Sequence, residues 1–308
     1  MSVNPPGGPP SHVTPAIYDL GFQHYEGERL GSWYATRALF WDTYKGAFGL
    51  GRSTRAKVMP MLLVVLATVP AVIIAAVAIF TGLDELPAAG SQYVAGLVLL
   101  TTLFVASQAP QAVSRDLRHR TISLYLSRPL GRGQYVVAKA VALVAATFTF
   151  LAVPATVLHA GGLLAKLSVR DQFTGWLGGL WTAALYAVLL SLLALAICAW
   201  TVRRGFGVAA VVVAVFLSSV VVGILASVLA YDAETNGTPV PTVAILVMAI
   251  APLNLIDGIR SWILGDRPDD LLIPDTTALG TAYVIVYVVV VGLSVLALVW
   301  RYRTVSVS

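Results

Sequence analysis

Charge is what this sequence has least of. Only 11% of its 308 residues are Asp, Glu, Lys or Arg, against about 25% in a soluble globular domain. Hydrophobic residues make up 58%, and the mean hydropathy is +0.83. A soluble enzyme and a charged disordered chain are excluded. The single cysteine, Cys198, lies inside an apolar run, so no internal disulfide is possible and a secreted disulfide scaffold is excluded too. Cys198 reads as a small core side chain.

Catalytic patterns are equally scarce. His12, His24, His119 and His159 show no ligand spacing with one another or with carboxylates, so no zinc-type site is expected. Neither a Ser-centred nucleophile elbow nor a Cys–His pairing occurs. Gly46-x-x-x-x-Gly51-Arg52-Ser53 approximates a phosphate-binding loop. Arginine stands where that loop needs lysine, however, and an aromatic amphipathic stretch precedes it in place of a strand, so it reads as chance. No long apolar run holds an Asp, Glu, Lys or Arg near its centre, which disfavours a transporter driven by an ion gradient. With no visible means of hydrolysing nucleotide, the chain must draw any energy it uses from a partner.

What is abundant is apolar length. Runs near 58–80, 92–113, 136–160, 176–200, 205–231 and 278–300 are each long enough to cross about 30 Å of hydrocarbon. A shorter run, 241–257, carries Pro252, Asn254 and Asp257 and suits a re-entrant or interfacial segment. Residues 1–16, rich in Pro and Gly, read as a disordered tail. In 17–57, Trp33, Phe40, Tyr44 and Phe48 fall near helical spacing while Arg37 and Lys45 can point to water, a pattern for an interfacial amphipathic helix. The expected fold is therefore an all-α polytopic membrane protein with six transmembrane helices over 58–303, a loop at 114–135 and an outer segment at 232–277. Asn236-Gly237-Thr238 on that segment fits a glycosylation acceptor, which matters only in a eukaryotic secretory system.

The charges orient these spans. With both termini inside, the cytoplasmic segments, together with Lys139 snorkelling from the third span, hold 16 of the 20 basic residues and 5 of the 15 acidic ones. Lys166, Arg170, Arg260 and Arg267 fall outside. A cytoplasmic (inner) membrane location with both termini cytoplasmic follows. Basic loops beside a bilayer meet anionic lipid, so the pI near 9.4 needs no nucleic acid as partner.

Ser114–Lys139, SRDLRHRTISLYLSRPLGRGQYVVAK, is the most informative stretch. Residues 115–128 can form a short helix that ends before Pro129. Leu117, Thr121 and Leu124 fall at i, i+4 and i+7 among basic side chains. Such a helix can dock into a groove on a cytoplasmic protein, or it can be an ordinary basic loop lying on lipid. In the second span Thr101, Phe104, Gln108 and Gln111 form one helical stripe, with Pro110 loosening the helix at that level. Polar residues there turn toward protein or water, either as hydrogen bonds within the subunit or as a path lining. In the fifth span Ser219, Gly223 and Ser227, at i, i+4 and i+8, permit close helix packing, and Phe216 lies beside them.

The loop resembles the hallmark of ABC transporter permeases of the type-2 exporter family, in which an acidic residue is followed by a threonine, a proline and a lysine. Asp116 stands five before Thr121, Pro129 eight after it and Lys139 ten further on. Arg120 replaces the usual glycine and Ser123 a common glutamate. Ala251–Gly265 is similar to the family's Pro-rich piece before the last span, and residues 17–40 are similar to an actinobacterial subgroup. The resemblance implies that the loop is a coupling helix seated on a separate ABC ATPase subunit, with Arg115, Asp116, Arg118, Arg120, Thr121 and Arg128 in the contact. It implies ATP and Mg bound by that partner, no cofactor on this chain, and a second permease copy or homologue. Spans two and five would line the substrate path, through Thr101, Phe104, Gln108, Gln111, Phe216 and Ser219. The rival is a membrane anchor or sensor that recruits a cytoplasmic partner through the same loop.

Overall fold

The computed structural model describes residues 30–83, 85–88, 90–113, 130–201, 204–236, 238–265 and 272–304. Apart from Leu30 they belong to one compact unit, Gly31–Ser308. The described residues form ten helices and no strand: α1 (Ser32–Ala47), α2 (Thr54–Thr81), α3 (Gly90–Gly96), α4 (Val98–Ala112), α5 (Arg132–Leu164), α6 (Val169–Trp200), α7 (Arg204–Asn236), α8 (Thr242–Met248), α9 (Pro252–Leu264) and α10 (Thr277–Thr304).

Five of these, α2, α5, α6, α7 and α10, are unbroken apolar helices of 28 to 33 residues, about 42 Å or more at 1.5 Å per residue. The pair α3 and α4 makes the sixth span, bent by 54°. The bend lies at Leu97, between Gly96 and Val98, not at Pro110 as the sequence suggested. Glycine weakens the helix at its break, whereas Pro110 falls in the last turn of α4 and deletes only one hydrogen bond there. Successive spans alternate direction. One end of the bundle, the loop end, therefore holds the close of α4, the start of α5 and the close of α6 and α10; the other is the far end.

The remaining pair, α8 and α9, meets at 116°. Pro252 opens α9, and Ala251 before it is extended (φ −85°, ψ 131°), as the residue preceding a proline prefers. Tyr283 donates to the Ile245 carbonyl oxygen at 2.6 Å, and a Cβ on Gly258 would run into the Tyr283 ring. This bent hairpin is thus packed against α10, and its sharp bend agrees with a re-entrant or interfacial segment better than with one straight crossing.

Burial sorts the spans. Of the apolar window of α6, 78% is buried, against 28% for α2 and 17% for α7 and for α10. A helix hydrophobic on all sides belongs either in the core or against lipid, and here α6 is the core. Ala183, Ala187, Ala194 and Leu189 are fully covered. Its buried Ser191 hydroxyl meets that of Thr147 on α5 at 2.9 Å. At the far end, Gly175 and Gly179 form a small-xxx-small step, and a Cβ on Gly90 or on Gly179 would strike the opposing backbone. α3 and α6 cross at backbone contact.

The N-terminal helix α1 lies along α5 and α4, burying Leu39, Thr43, Gly46 and Ala47. Its aromatics divide. Phe48 just beyond it is buried against Phe104, and Tyr44 bonds the Thr149 hydroxyl at 3.1 Å, while Trp33, Tyr34 and Trp41 remain exposed. These exposed rings suit a membrane boundary.

The α3–α6 crossing gives a first prediction. Gly179→Leu overpacks it and should destabilise the protein by about 1–3 kcal/mol, read as a lower melting temperature of the detergent-solubilised protein. Gly96→Ala, where no atom lies within 4 Å of the added carbon, should not lower it. Equal melting of both variants would contradict the packing described.

Candidate functional site

The residues 114–129 lie outside the described residues, and with them Arg115, Asp116, Arg118, Arg120, Thr121 and Arg128. The two anchors of this loop are described. α4 leads into it through Val113, 2% exposed, and the chain returns through Leu130, 7% exposed. Gly131 then donates its N–H to the Gln134 side-chain oxygen at 3.0 Å, satisfying one of the free donors at the start of α5.

Beside the close of α4 a polar node joins that helix to the α1–α2 turn. Arg52, in the turn between α1 and α2, donates through Nη1 to Gln111 Oε1 at 2.8 Å. Gln111 Nε2 donates to the Ser107 carbonyl oxygen at 3.0 Å and to Gln108 Oε1 at 3.3 Å. Gln108 Nε2 donates to Ser107 Oγ at 2.9 Å, and Ser107 Oγ to the Phe104 carbonyl oxygen at 2.8 Å. Lys139, from α5, and Asp42 and Thr43, from α1, line the same recess of about 20 Å³, room for one water. Lys139 does not snorkel as expected. It is 7% exposed with its ammonium over the Tyr135 ring at 5.5 Å, because the α1 packing covers that side of α5.

Arg52 is the member that sequence reading passed over. Its neighbourhood looked like a failed phosphate loop. Helix α1 precedes it, and Gly49 (φ +71°) turns the chain back so that the guanidinium reaches α4. A Cβ on Gly46 would strike that guanidinium. The signal available was the cation itself, placed between two apolar stretches.

The stripe on α4 is placed as follows. Thr101, Phe104 and Gln108 are buried within the subunit, and Gln111 is half-buried. Phe104 stacks between Phe48 and Phe150, at 5.7 and 4.7 Å, and Thr101 returns its hydroxyl to the Leu97 carbonyl. On α7, Phe216 and Ser219 are half-buried, and Ser219 bonds the Val215 carbonyl. Among the described residues no hydrogen bond joins the α4 group to the α7 pair. α4 and α7 pack side by side, yet Gly223 and Ser227 have an open face: nothing stands within 4 Å of a Cβ on Gly223.

Two further polar groups were not anticipated. Arg260, assigned from sequence to the outer aqueous side, is 3% exposed inside the bundle. Its Nε lies 3.6 Å from Asp257 Oδ1, which also accepts the Tyr186 hydroxyl at 2.9 Å. Tyr186 stands near the middle of α6, so the hairpin carries an ion pair deep into the spans, where charge is costly unless paired. The i,i+3 spacing of Asp257 and Arg260 in an apolar stretch was its only sequence signal. At the far end, a cavity of about 270 Å³ is lined by Glu85, His159, Asp171 and Trp176 among others. His159 stacks on Trp176 at 5.3 Å and its Nδ1 meets the Gln172 carbonyl oxygen at 3.0 Å, a wall residue held in place. Among the described residues no three His, Cys, Asp or Glu side chains gather as a metal site.

The ion pair is testable by stability. Asp257→Ala leaves a buried guanidinium without that carboxylate and should cost about 3–5 kcal/mol. Asp257→Ala with Arg260→Met should recover much of it, measured as the melting temperature in detergent. A double variant as unstable as the single one would contradict the pairing.

The comparison with curated proteins finds no match. A family model described as ABC-2 family transporter protein matches residues 52–307. The match begins at Arg52, the node's bridging arginine, and spans all six crossings and the hairpin. The chain belongs to the ABC-2 transporter family and is the multi-pass permease subunit of an ABC transporter.

Proposed function

We propose that this permease works in an ATP-driven exporter of the cytoplasmic membrane, powered by a separate ATPase subunit that docks on residues 115–128. The observation that carries this reading is the polar node. It ties the departing end of α4 to the α1–α2 turn beside the point where α5 begins. A load applied to a loop that α4 enters through Val113 is thereby passed from α4 to the α1–α2 turn. The family motif's lysine, Lys139, lines the same recess, consistent with a link between docking and span movement.

In this account the loop end faces the cytoplasm, in agreement with the distribution of basic residues. ATP binding by the partner favours one of two arrangements of the spans, because it binds that arrangement more tightly. A second permease copy or homologue packs against the open face of α7, where a Cβ on Gly223 would meet nothing within 4 Å, Ser227 is exposed and 17% of the apolar window is buried. The substrate path then runs along that seam, between α7 and its counterpart, with α4 behind it. The path residues Thr101, Phe104, Gln108, Gln111, Phe216 and Ser219 belong to it, those on α4 reaching it only when α4 and α7 shift.

The loop assignment makes a direct prediction. Asp116→Ala combined with Arg120→Ala should weaken retention of the co-purified ATPase subunit by about tenfold, or ~1.4 kcal/mol, with membrane insertion unchanged. Arg52→Ala should keep the subunit bound and lower transport relative to ATP hydrolysis. Pull-down yield, phosphate release and transport measured side by side test both, and normal retention and transport by the loop double variant would sink the coupling role.

A further inference from the structure

At the loop end, the termini of α5, α6 and α10 carry a patch that the permease role does not use. Trp200 closes α6 and Trp300 lies near the end of α10, 52% and 60% exposed, their rings 5.5 Å apart. The Arg301 guanidinium lies over the Trp200 ring at 5.3 Å, and its Nε donates to the Ala199 carbonyl oxygen at 3.2 Å. Arg132, the first residue of α5, donates through Nη1 to the Arg303 carbonyl oxygen at 3.1 Å. Three guanidinium-bearing residues from two helices thus gather where three helix ends meet.

These groups have donors to spare. A guanidinium offers five N–H donors, and the bonds just named engage one each from Arg132 and Arg301. Arg132 and Arg303 are exposed, and among the described residues none of the three is ion-paired. Two large exposed indoles stand beside them. Indoles fit poorly in water and guanidiniums fit poorly in hydrocarbon, so the patch suits the boundary between the two. Its occupant must be anionic on one side and apolar on the other.

We propose that this junction binds the headgroup of an anionic phospholipid, with the phosphodiester on Arg132 and Arg303 and the glycerol and first acyl carbons against Trp200 and Trp300. A zwitterionic lipid would bring its own ammonium group into the field of the Arg132 and Arg301 guanidiniums, with Arg303 exposed beside them, and is disfavoured. Each basic residue near a bilayer surface contributes about 1 kcal/mol toward anionic lipid, roughly fivefold in affinity. The bound lipid bridges the first turn of α5, which follows the loop directly, to α10. The site needs only the membrane setting of the chain and is independent of the coupling reading.

The test uses the full-length protein, delipidated in detergent and mixed with equimolar phosphatidylglycerol and phosphatidylcholine of the same acyl chains. Retained lipid is counted by native mass spectrometry. Wild type should keep phosphatidylglycerol at least about fivefold over phosphatidylcholine. The R132Q/R303Q variant should lose that preference, and R132K/R303K should keep most of it, which separates charge loss from misfolding. Equal retention of the two lipids by wild type, or an unchanged preference in the Gln variant, overturns the site. Displacement of the lipid by millimolar inorganic phosphate would also overturn it, in favour of a site for a free anion.

Discussion

A helix whose apolar length is mostly buried leaves little surface for lipid, so its neighbours have to be shaped to it. α6 imposes that condition here. Its small buried residues, Ala183, Ala187 and Ala194, let α5, α4 and α10 approach, and the glycine step at Gly175 and Gly179 brings α3 to backbone contact. The hydrophobic effect does little to join helices already inside a bilayer, where lipid is as apolar as leucine, so this fit and the hydrogen bonds across it hold the bundle together. The outer helices α2, α7 and α10 are left with apolar faces free for lipid or for a partner chain.

Polar groups within such a bundle must be matched internally, and the matches mark where helices are tied. Tyr283 and Tyr287 reach main-chain carbonyls of α8 and α6. Tyr186 and Arg260 share Asp257, pinning the bent hairpin to the core. At the loop end, Arg52, Gln111 and Gln108 tie the α1–α2 turn to α4. The middle of the bundle and the loop end are therefore both secured, by different chemistry. No hydrogen bond among the described residues joins the stripe on α4 to Phe216 or Ser219, so these two helices meet through packing alone at that level.

Much of this was legible beforehand, for physical reasons that can be named. A polytopic helical bundle follows from run length against bilayer thickness, and α2–α10 give it as five unbroken apolar helices and two bent pairs. The family was legible in the spacing of Asp116, Thr121, Pro129 and Lys139. Direction within the bundle was not. Spacing put Thr101, Phe104, Gln108 and Gln111 on one face, but α4 is covered by α5, α6 and α7, so Phe104 ends between two phenylalanine rings. Lys139 and Arg260 were read as aqueous because charge alone carries that expectation; both are buried, each beside a partner one turn away on its own helix, Tyr135 and Asp257. Arg52 stood in a near-motif read as chance; its role appears only once the turn folds it onto α4.

The central claim is that this permease is driven by a separate ATPase through residues 115–128. The most direct measurement is purification of the tagged chain from its native host in mild detergent, with co-purifying proteins identified by mass spectrometry and ATP hydrolysis assayed. The account predicts a stoichiometric ATP-binding subunit whose retention depends on residues 115–128. A chain that emerges alone, or with a partner lacking ATPase activity, would contradict it and point to a membrane anchor or sensor.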